Sequence, residues 1–463
     1  MLYKSIKFDV RSIIGYILNK RPTAIICDDD LAPESSEVPI IKVDDARRLL
    51  PYLYSRFYEI SFDKMRFIGI TGTNGKSTTA ILLSHILREA GHRVGFIGTG
   101  IISLNGELIS GNNYSMTTPD PDVLYSSISR FEKEGCDTVV MEVSSHALYF
   151  DKVAPISFEI SLFTNLSGEH MDFHGSIEEY YKTKLRLFRQ SRLGIFNVDD
   201  YYARKAYGEV ECEKHSVGVI RKADAIATDV SLLGLSGIKY IYRDQKRILC
   251  VESSLPGAYN VYNTMMAMSA AIAFGVRPCV AKKALSKIKG VVGRLETVCE
   301  CPMVIIDYAH TVEALSNVLK TIVSSKKAEQ KLILVFGCGG ERDREKRPLM
   351  AAVAEKYADF SIITTDNSRG ESVVDILEDI LSGFQDTRRR TVITSRRAAI
   401  EHAVLSASDQ DIIAVIGKGH EKYNIDKNGY HAFDERAIIQ NAIKKREDMK
   451  KKNENTSENS ING

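Results

Sequence analysis

Met65 to Ala90 reads MRFIGITGTNGKSTTAILLSHILREA, and this stretch decides the fold. The opening MRFIGI is apolar and β-branched, the pattern of a buried strand. Gly72-Thr73-Asn74-Gly75 breaks the run. From Lys76-Ser77-Thr78 onward the apolar residues Ala80, Leu83, Ile86 and Leu87 fall at helical spacing. Strand, glycine loop and helix in this order make a phosphate cradle, because the loop N–H groups and the positive end of the helix face an anion. Lys76 is placed to reach terminal phosphates, and the Ser77 hydroxyl to ligate magnesium. Ile70 stands where the strict G-x-x-x-x-G-K-[ST] pattern has its first glycine. A plain Gly-rich turn with a surface lysine is the alternative, but it leaves the lysine and hydroxyls directly after Gly75 unexplained.

Downstream, strand and helix alternate, as a mostly parallel sheet requires. Val94–Ile97, Asp137–Val143, Ile160–Leu166 and Gly194–Val198 read as strands; Pro121–Glu134 and Ser176–Gln190 read as helices. Shorter alternating runs over 215–254 predict antiparallel strands inserted at the sheet edge, closed by helices Asn260–Phe274 and Val280–Ile288. A second unit begins near Cys299. Its strands Met303–Ile306, Lys331–Phe336, Phe360–Thr364, Thr391–Ile393 and Asp411–Ile416 alternate with helices Val312–Ser325, Asp343–Ala358, Ser372–Ser382 and Arg396–Ser406. Upstream lies a short α/β segment with strands Thr23–Cys27 and Val38–Val43 and helix Asp45–Phe57. Asp28-Asp29-Asp30 is read there as an acidic turn.

The expected fold is α/β in three domains. Residues 1–64 are a truncated N-terminal domain and 65–298 a central P-loop parallel sheet with an antiparallel edge. Residues 299–443 are a doubly wound, Rossmann-like C-terminal domain. The tail 444–463 is polar and poor in apolar residues, so it is expected to be disordered. The 463-residue length agrees with about three domains.

Composition narrows the function. With 62 basic against 60 acidic residues, the formal charge is +2, which gives no global pull toward nucleic acid or anionic membrane. The eight cysteines are scattered; Cys299-Glu300-Cys301 is the one close pair, and neither a second pair nor a His cluster completes a zinc site. No apolar run approaches the ~20 residues of a membrane span, and MLYKSIKFDVRS lacks the apolar core of a secretion signal. The expectation is a cytoplasmic, monomeric protein with small-molecule partners and reduced thiols.

In both sheets the strands end in polar residues, where open α/β sheets bind ligands. Glu142, at such an end, is placed to hold Mg²⁺ opposite Ser77; a capping or salt-bridged carboxylate is the alternative. The loop Thr164-Asn165-Leu166-Ser167-Gly168-Glu169-His170-Met171-Asp172-Phe173-His174-Gly175 packs two His and two acids together, a density that favours a site. Lys184, taken alone, reads as a solvated lysine on an amphipathic helix. Phe336-Gly337-Cys338-Gly339-Gly340-Glu341-Arg342-Asp343, Asp366-Asn367-Ser368-Arg369 and Gly417-Lys418-Gly419-His420-Glu421 end three strands of one sheet. Together they form a wall suited to a small zwitterion, with guanidinium for carboxylate and Glu for ammonium.

In order and spacing, the motifs GITGTNGKSTT, TTPD (Thr117 to Asp120), MEVSSHAL, FTNLSGEHMDFHG, YYKTKLRLF, GAYNVYN (Gly257 to Asn263), GRLE, DYAHT, FGCGGERDREKRP, DNSR, GKGHE and FDER (Phe433 to Arg436) resemble the Mur ligase family. The nearest likeness is its MurE branch, the UDP-N-acetylmuramoyl-tripeptide synthetases. The likeness runs from about Ala24 to about Ala442. It implies an ATP-dependent amide ligase of peptidoglycan synthesis: a carboxylate takes the γ-phosphate to give an acyl phosphate, and an amino acid's amine displaces the phosphate. By that resemblance ATP is bound by Gly72, Thr73, Asn74, Gly75, Lys76, Ser77, Thr78, Asn260, Arg294, Asp307 and His310. Ser77 and Glu142 would hold one Mg²⁺ and His170 a second. Lys184 matches a lysine carbamylated by CO₂, which converts a cation into a metal-ligating carboxylate. Lys76, Lys184 and His170 form the implied catalytic set. Thr117, Thr118, Ser144 and Lys152 would meet the UDP-substrate, and Arg342, Asn367, Arg369, Gly417 and Glu421 the amino acid. Members using meso-diaminopimelate carry D-N-P-R where this chain has Asp366-Asn367-Ser368-Arg369. The retained arginine favours that amino acid over lysine, since its distal carboxylate needs a cation.

The departures concentrate on the nucleotide-sugar side. Only 64 residues precede Met65, and Asp9-Val10-Arg11 is at best a shrunken D-S-R motif. Phe150 and Lys152 stand where Gln and Arg usually meet the sugar nucleotide, Glu169 replaces Asp, and Val312 replaces Pro. Two other readings follow: the same ligation onto a different carboxylate, or a regulatory nucleotide binder that has lost turnover. Intact Lys184 and His170 weigh against the second.

Overall fold

Arg66–Thr71 is a strand in which every residue after Arg66 is buried, as its apolar run requires. It lies between Phe158–Phe163 and Thr138–Glu142, parallel to both, so both of its edges are hydrogen-bonded, and a core packs on each face. The computed structural model describes residues 14–28, 38–109 and 116–461. Around this strand an eleven-stranded sheet spreads. On one side follow Val94–Gly98 and the short strands Ile101–Leu104 and Glu107–Leu108, the last two antiparallel. On the other come Phe158–Phe163, Ser191–Asn197, Glu213–Gly218, Ala225–Leu232, Ile238–Arg243 and Ile248–Ser253.

The edge differs from expectation. Glu213–Gly218 and Ala225–Leu232 extend the parallel sheet, and only the last two strands run antiparallel. The helix Tyr201–Glu209, missed in the sequence because it buries only Ala203 and Ala206, supplies the crossover that a parallel step needs.

Helix Lys76–Glu89 follows the glycine loop and packs with helix Tyr259–Phe274 over one face of the sheet; Leu83, Ile86, Met265 and Met268 share that core. Helix Pro121–Lys133 covers the other face with Leu124, Tyr125, Ile128 and Phe131.

The C-terminal sheet has the order Glu296–Glu300, Met303–Asp307, Ile412–Ile416, Leu332–Phe336, Phe360–Ile363, Arg390–Val392. All neighbours are parallel except the first pair. Helices lie on both faces, which makes the domain doubly wound. Strands Ile25–Cys27 and Ile40–Lys42 pair in parallel, and helix Ala46–Phe57, capped by Asp45, docks on helix Pro121–Lys133. Asp28 accepts a bond from the Ala46 amide at 3.2 Å; Asp29, Asp30 and Asp9-Val10-Arg11 lie outside the described residues.

The tail needs correction. Helix Glu435–Ile461 runs through Lys444 without a break. Ile438, Ile439 and Ala442 are buried against the sheet. Arg446 then donates to the Val404 carbonyl and to Asp409, which also pairs with Lys450. Apolar anchorage at its start and paired charges further on outweigh the polar composition.

Candidate active site

The carboxyl ends of the two sheets face each other across a cleft of about 1080 Å³. Its walls include Arg47 and Tyr54 of the N-terminal segment, Lys76 and Ser77 of the central domain, and Arg342 and Arg369 of the C-terminal domain.

The glycine-loop wall, expected to hold phosphate, is built by backbone geometry. Gly75 has φ +85°, and a Cβ there would stand 2.5 Å from Asn263 Oδ1. Gly72 has φ +143°, and a Cβ would strike Thr164 Oγ1 at 1.9 Å, so a side chain at either position would displace the loop. Lys76 Nζ donates to the carbonyls of Gly72 and Thr73, both at 2.9 Å, and burial lowers its pKa. Ser77 Oγ lies 2.9 Å from Glu142 Oε2. Glu142 is buried at its strand end and accepts the Thr99 amide at 2.9 Å. Thr118 donates to the Glu142 carbonyl at 2.9 Å and accepts the Ser144 amide at 3.0 Å, and Thr117 meets Thr99 Oγ1 at 3.1 Å.

The loop after Phe158–Phe163 brings His170 to the cleft at φ +59°. Burial pushes its imidazole down to about 3, so it is neutral with a lone pair available. Burial would neutralise Glu169, but His310 at 3.1 Å holds it well below the usual carboxylate range. This pair spans the two domains. Asn74 to Glu313 at 3.3 Å and His420 to the Thr99 carbonyl at 2.8 Å span them too, and Arg294, just before the C-terminal sheet, donates to Ser77 Oγ at 3.2 Å. Arg294 also stacks over Tyr308, 4.5 Å from its centroid.

The opposite wall presents side chains. Arg369, at φ +53°, donates to the carbonyls of Gly340 at 2.8 Å and Asn367 at 3.2 Å. Burial and then the neighbouring Arg342 both disfavour its charge, so an anion placed here would relieve both. Asn367 Nδ2 donates to Glu421 Oε2 at 3.0 Å. Burial and then Asp366 push Glu421 up. Gly417, Arg342 and Lys152 also line the cleft, Lys152 being paired with Asp120 at 2.6 Å.

Four expected residues stand behind the wall. Gly72 turns the loop. Asn260 is buried, its amide donating to the Pro256 carbonyl at 2.7 Å and accepting from Asn263 at 2.8 Å. Asp307 is buried and accepts the amides of Leu295 and Ala309, both at 2.7 Å; it shapes the domain junction. Lys184, read from periodicity as solvated, is 1% exposed. Its Nζ donates to the Gly72 carbonyl at 3.0 Å and sits 4.4 Å from the Tyr180 ring centroid. Burial, then Lys76, push it well below the usual lysine range. Periodicity failed here because the helix lies under the glycine loop, so a face that looks polar in sequence is covered.

Residues 70–271 match the Mur ligase middle domain, and residues 293–419 match the Mur ligase glutamate ligase domain. The chain belongs to the Mur ligase family. It is 36% identical over 442 residues to UDP-N-acetylmuramoyl-L-alanyl-D-glutamate–2,6-diaminopimelate ligase 1 of Clostridium acetobutylicum, spanning 94% of this chain and 90% of that one. The corresponding ligase of Aquifex aeolicus is 37% identical over 449 residues, spanning 95% and 89%. A solved structure of a UDP-N-acetylmuramoyl-L-alanyl-D-glutamate–2,6-diaminopimelate ligase superposes with a TM-score of 0.63 at 29% identity, covering 94% and 90%. Mycobacterium tuberculosis folylpolyglutamate synthase shares the fold, with a TM-score of 0.67 at 16% identity.

Two features of this Mur ligase site escaped the sequence reading. Lys418 is fully buried beneath the C-terminal wall of the cleft. Arg347, also fully buried, binds Glu371 and Asp379 at 2.7 and 2.8 Å and the Gly339 carbonyl at 3.2 Å. Lysine and arginine are rarely buried unless paired, and these partners lie far away in sequence.

Proposed function

We propose that the chain is the ATP-dependent ligase that adds an amino acid, meso-diaminopimelate in preference to lysine, to UDP-N-acetylmuramoyl-L-alanyl-D-glutamate in peptidoglycan synthesis. One observation carries the reading. A phosphate cradle and a wall of two guanidiniums, an amide and a carboxylate face each other across one cleft that the N-terminal segment also reaches.

Each wall has its task. The loop amides and Lys76 hold the ATP phosphates, with Arg294 close to Ser77. The Ser77 hydroxyl and Glu142 carboxylate, 2.9 Å apart, are hard oxygen donors that suit Mg²⁺. Together they would hold a magnesium ion whose charge would offset that of the phosphates. His170 offers a neutral nitrogen to a second ion. The buried Lys184 amine, readily neutral, is suited to react with CO₂, forming an N–C bond and releasing a proton to leave a carbamate. Arg369 and Arg342 receive a carboxylate of the amino acid, and Glu421 its ammonium. The protein orients the amine toward the acyl phosphate and keeps water away, which is most of what such a transfer requires. Thr117, Thr118, Ser144 and Lys152 line the side on which the UDP-dipeptide enters.

A second reading, ligation onto a different carboxylate, is favoured by the engagement of Lys152 with Asp120 where an arginine usually meets the sugar nucleotide. Phosphate release from ATP, measured with UDP-muramoyl dipeptide and each candidate amino acid, tests both. Release with meso-diaminopimelate and the UDP-dipeptide is expected. Release without any response to the UDP-dipeptide rejects the first reading.

A further inference from the structure

Lys418 lies two residues past the end of strand Ile412–Ile416 and is 0% exposed. Its ammonium meets Asn367 Oδ1 at 2.8 Å, the Tyr423 carbonyl at 2.9 Å and Asp366 Oδ1 at 3.2 Å, with Glu421 Oε2 further off at 3.8 Å. The first three match its three protons. Asn367 Oδ1 also accepts the Ile425 amide at 3.0 Å, so both its lone pairs are engaged by donors. The amide nitrogen is thereby turned to Glu421 Oε2 at 3.0 Å. Rotating this amide by half a turn would set its N–H groups against Lys418 and the Ile425 amide, and its oxygen against a carboxylate. Both ends would repel. The orientation follows from the partners alone.

The consequence reaches the cleft. Asn367 spends one N–H on Glu421 and has a second for the cleft it helps line. The Asn367 carbonyl and the Gly340 carbonyl anchor Arg369 Nη1. A donor patch of Asn367 and Arg369 therefore lies beside the acceptor Glu421, a polarity that fits a carboxylate next to an ammonium and disfavours the reverse order.

We propose that Lys418 is a positioning residue for amino-acid selection, acting through Asn367 by holding that amide with its N–H groups toward Glu421 and the cleft. This rests on the ligase reading above. A buried lysine that merely balances Asp366 would stabilise the fold without selecting the amino acid, so the test separates the two.

Steady-state kinetics are measured for wild type, Lys418→Met, Asn367→Ala and the double variant, with ATP, UDP-dipeptide and amino acid varied in turn. Lys418→Met is expected to raise the amino-acid KM about tenfold or more, leaving the ATP KM within about twofold. In the Asn367→Ala background the same change should cost clearly less than it does in wild type, because the group it orients is gone and only its 3.8 Å ion pair with Glu421 remains. Full additivity overturns the proposal, as does a parallel rise in both KM values. Should Lys418→Met fail to fold, Asn367→Asp carries the test: it keeps an acceptor for Lys418 and removes the N–H toward Glu421. An unchanged amino-acid KM in that variant overturns the proposal. No turnover by wild type with any amino acid removes the ligase reading and this inference with it; wild-type turnover with unaltered variants removes this inference alone.

Discussion

The two walls of the cleft solve opposite problems by different means. The phosphate wall is one continuous stretch, Gly72 to Thr78, whose shape comes from backbone at positive φ and whose donors are main-chain amides with one lysine. The acceptor wall is assembled from three separate strand ends. Its shape comes from buried charge: Lys418 and then Arg396 hold Asp366 down to about 2 against the pull of burial, and Arg396 pairs with Glu435 at 2.6 Å. On the proposed function, backbone would receive a group every nucleotide carries, whereas side chains could be exchanged to choose among amino acids. The phosphate wall should therefore fail as a unit, and the acceptor wall should change its choice.

Lys76→Ala is the strongest break. Removing the cation from the cradle should lower kcat/KM by about 10³-fold, since it acts where phosphate charge develops, with the melting temperature nearly unchanged. Comparable turnover would mean that the amides alone suffice. Arg369→Met should act on the other wall only. Loss of a charge-assisted contact of roughly 1.5–3 kcal/mol predicts a rise of about 10- to 100-fold in the meso-diaminopimelate KM. The ATP KM should hold, and the preference over lysine should shrink. A matching rise in the ATP KM would show that the walls do not divide the work.

The smallest effect lies at the seam. Burial, then Arg294, depress His420 from 6.5 to about 4, and its Nε2–H donates to the Thr99 carbonyl. The unfolded chain thus binds the proton more readily between those values, so this group's contribution to stability falls as pH drops from 6.5 toward 4. His420→Gln should flatten that part of a melting-temperature profile, by at most about 1 kcal/mol per pH unit. An equally steep acid limb in the variant would place the titration elsewhere.

This contrast also explains what could be read in advance. The strand, glycine loop and helix around Lys76 are local, and periodicity found them. Glu142 and the polar strand ends were visible because open sheets place ligands there. The burial of Lys184, the lock of Lys418 on Asn367 and the pairing of Glu169 with His310 join residues 51 to 141 positions apart, or 112 in the case of Lys184 and Gly72. No window of sequence holds both partners. Similarly, the antiparallel reading of 215–254 held for Ile238–Arg243 and Ile248–Ser253 but failed for Glu213–Gly218 and Ala225–Leu232, because short alternating runs do not reveal strand direction. The direction of Glu213–Gly218 was set by the weakly patterned helix Tyr201–Glu209.

The loop Gly417–Glu421 serves both walls. Lys418 and Glu421 face the amino-acid side, while His420 between them grips Thr99, whose own amide holds Glu142 beside Ser77. Were an occupant to bias this loop on one side, three hydrogen bonds would carry the effect to the other. Thermodynamic linkage makes such traffic symmetrical: by whatever factor the amino acid sharpens the grip on nucleotide, nucleotide sharpens the grip on the amino acid.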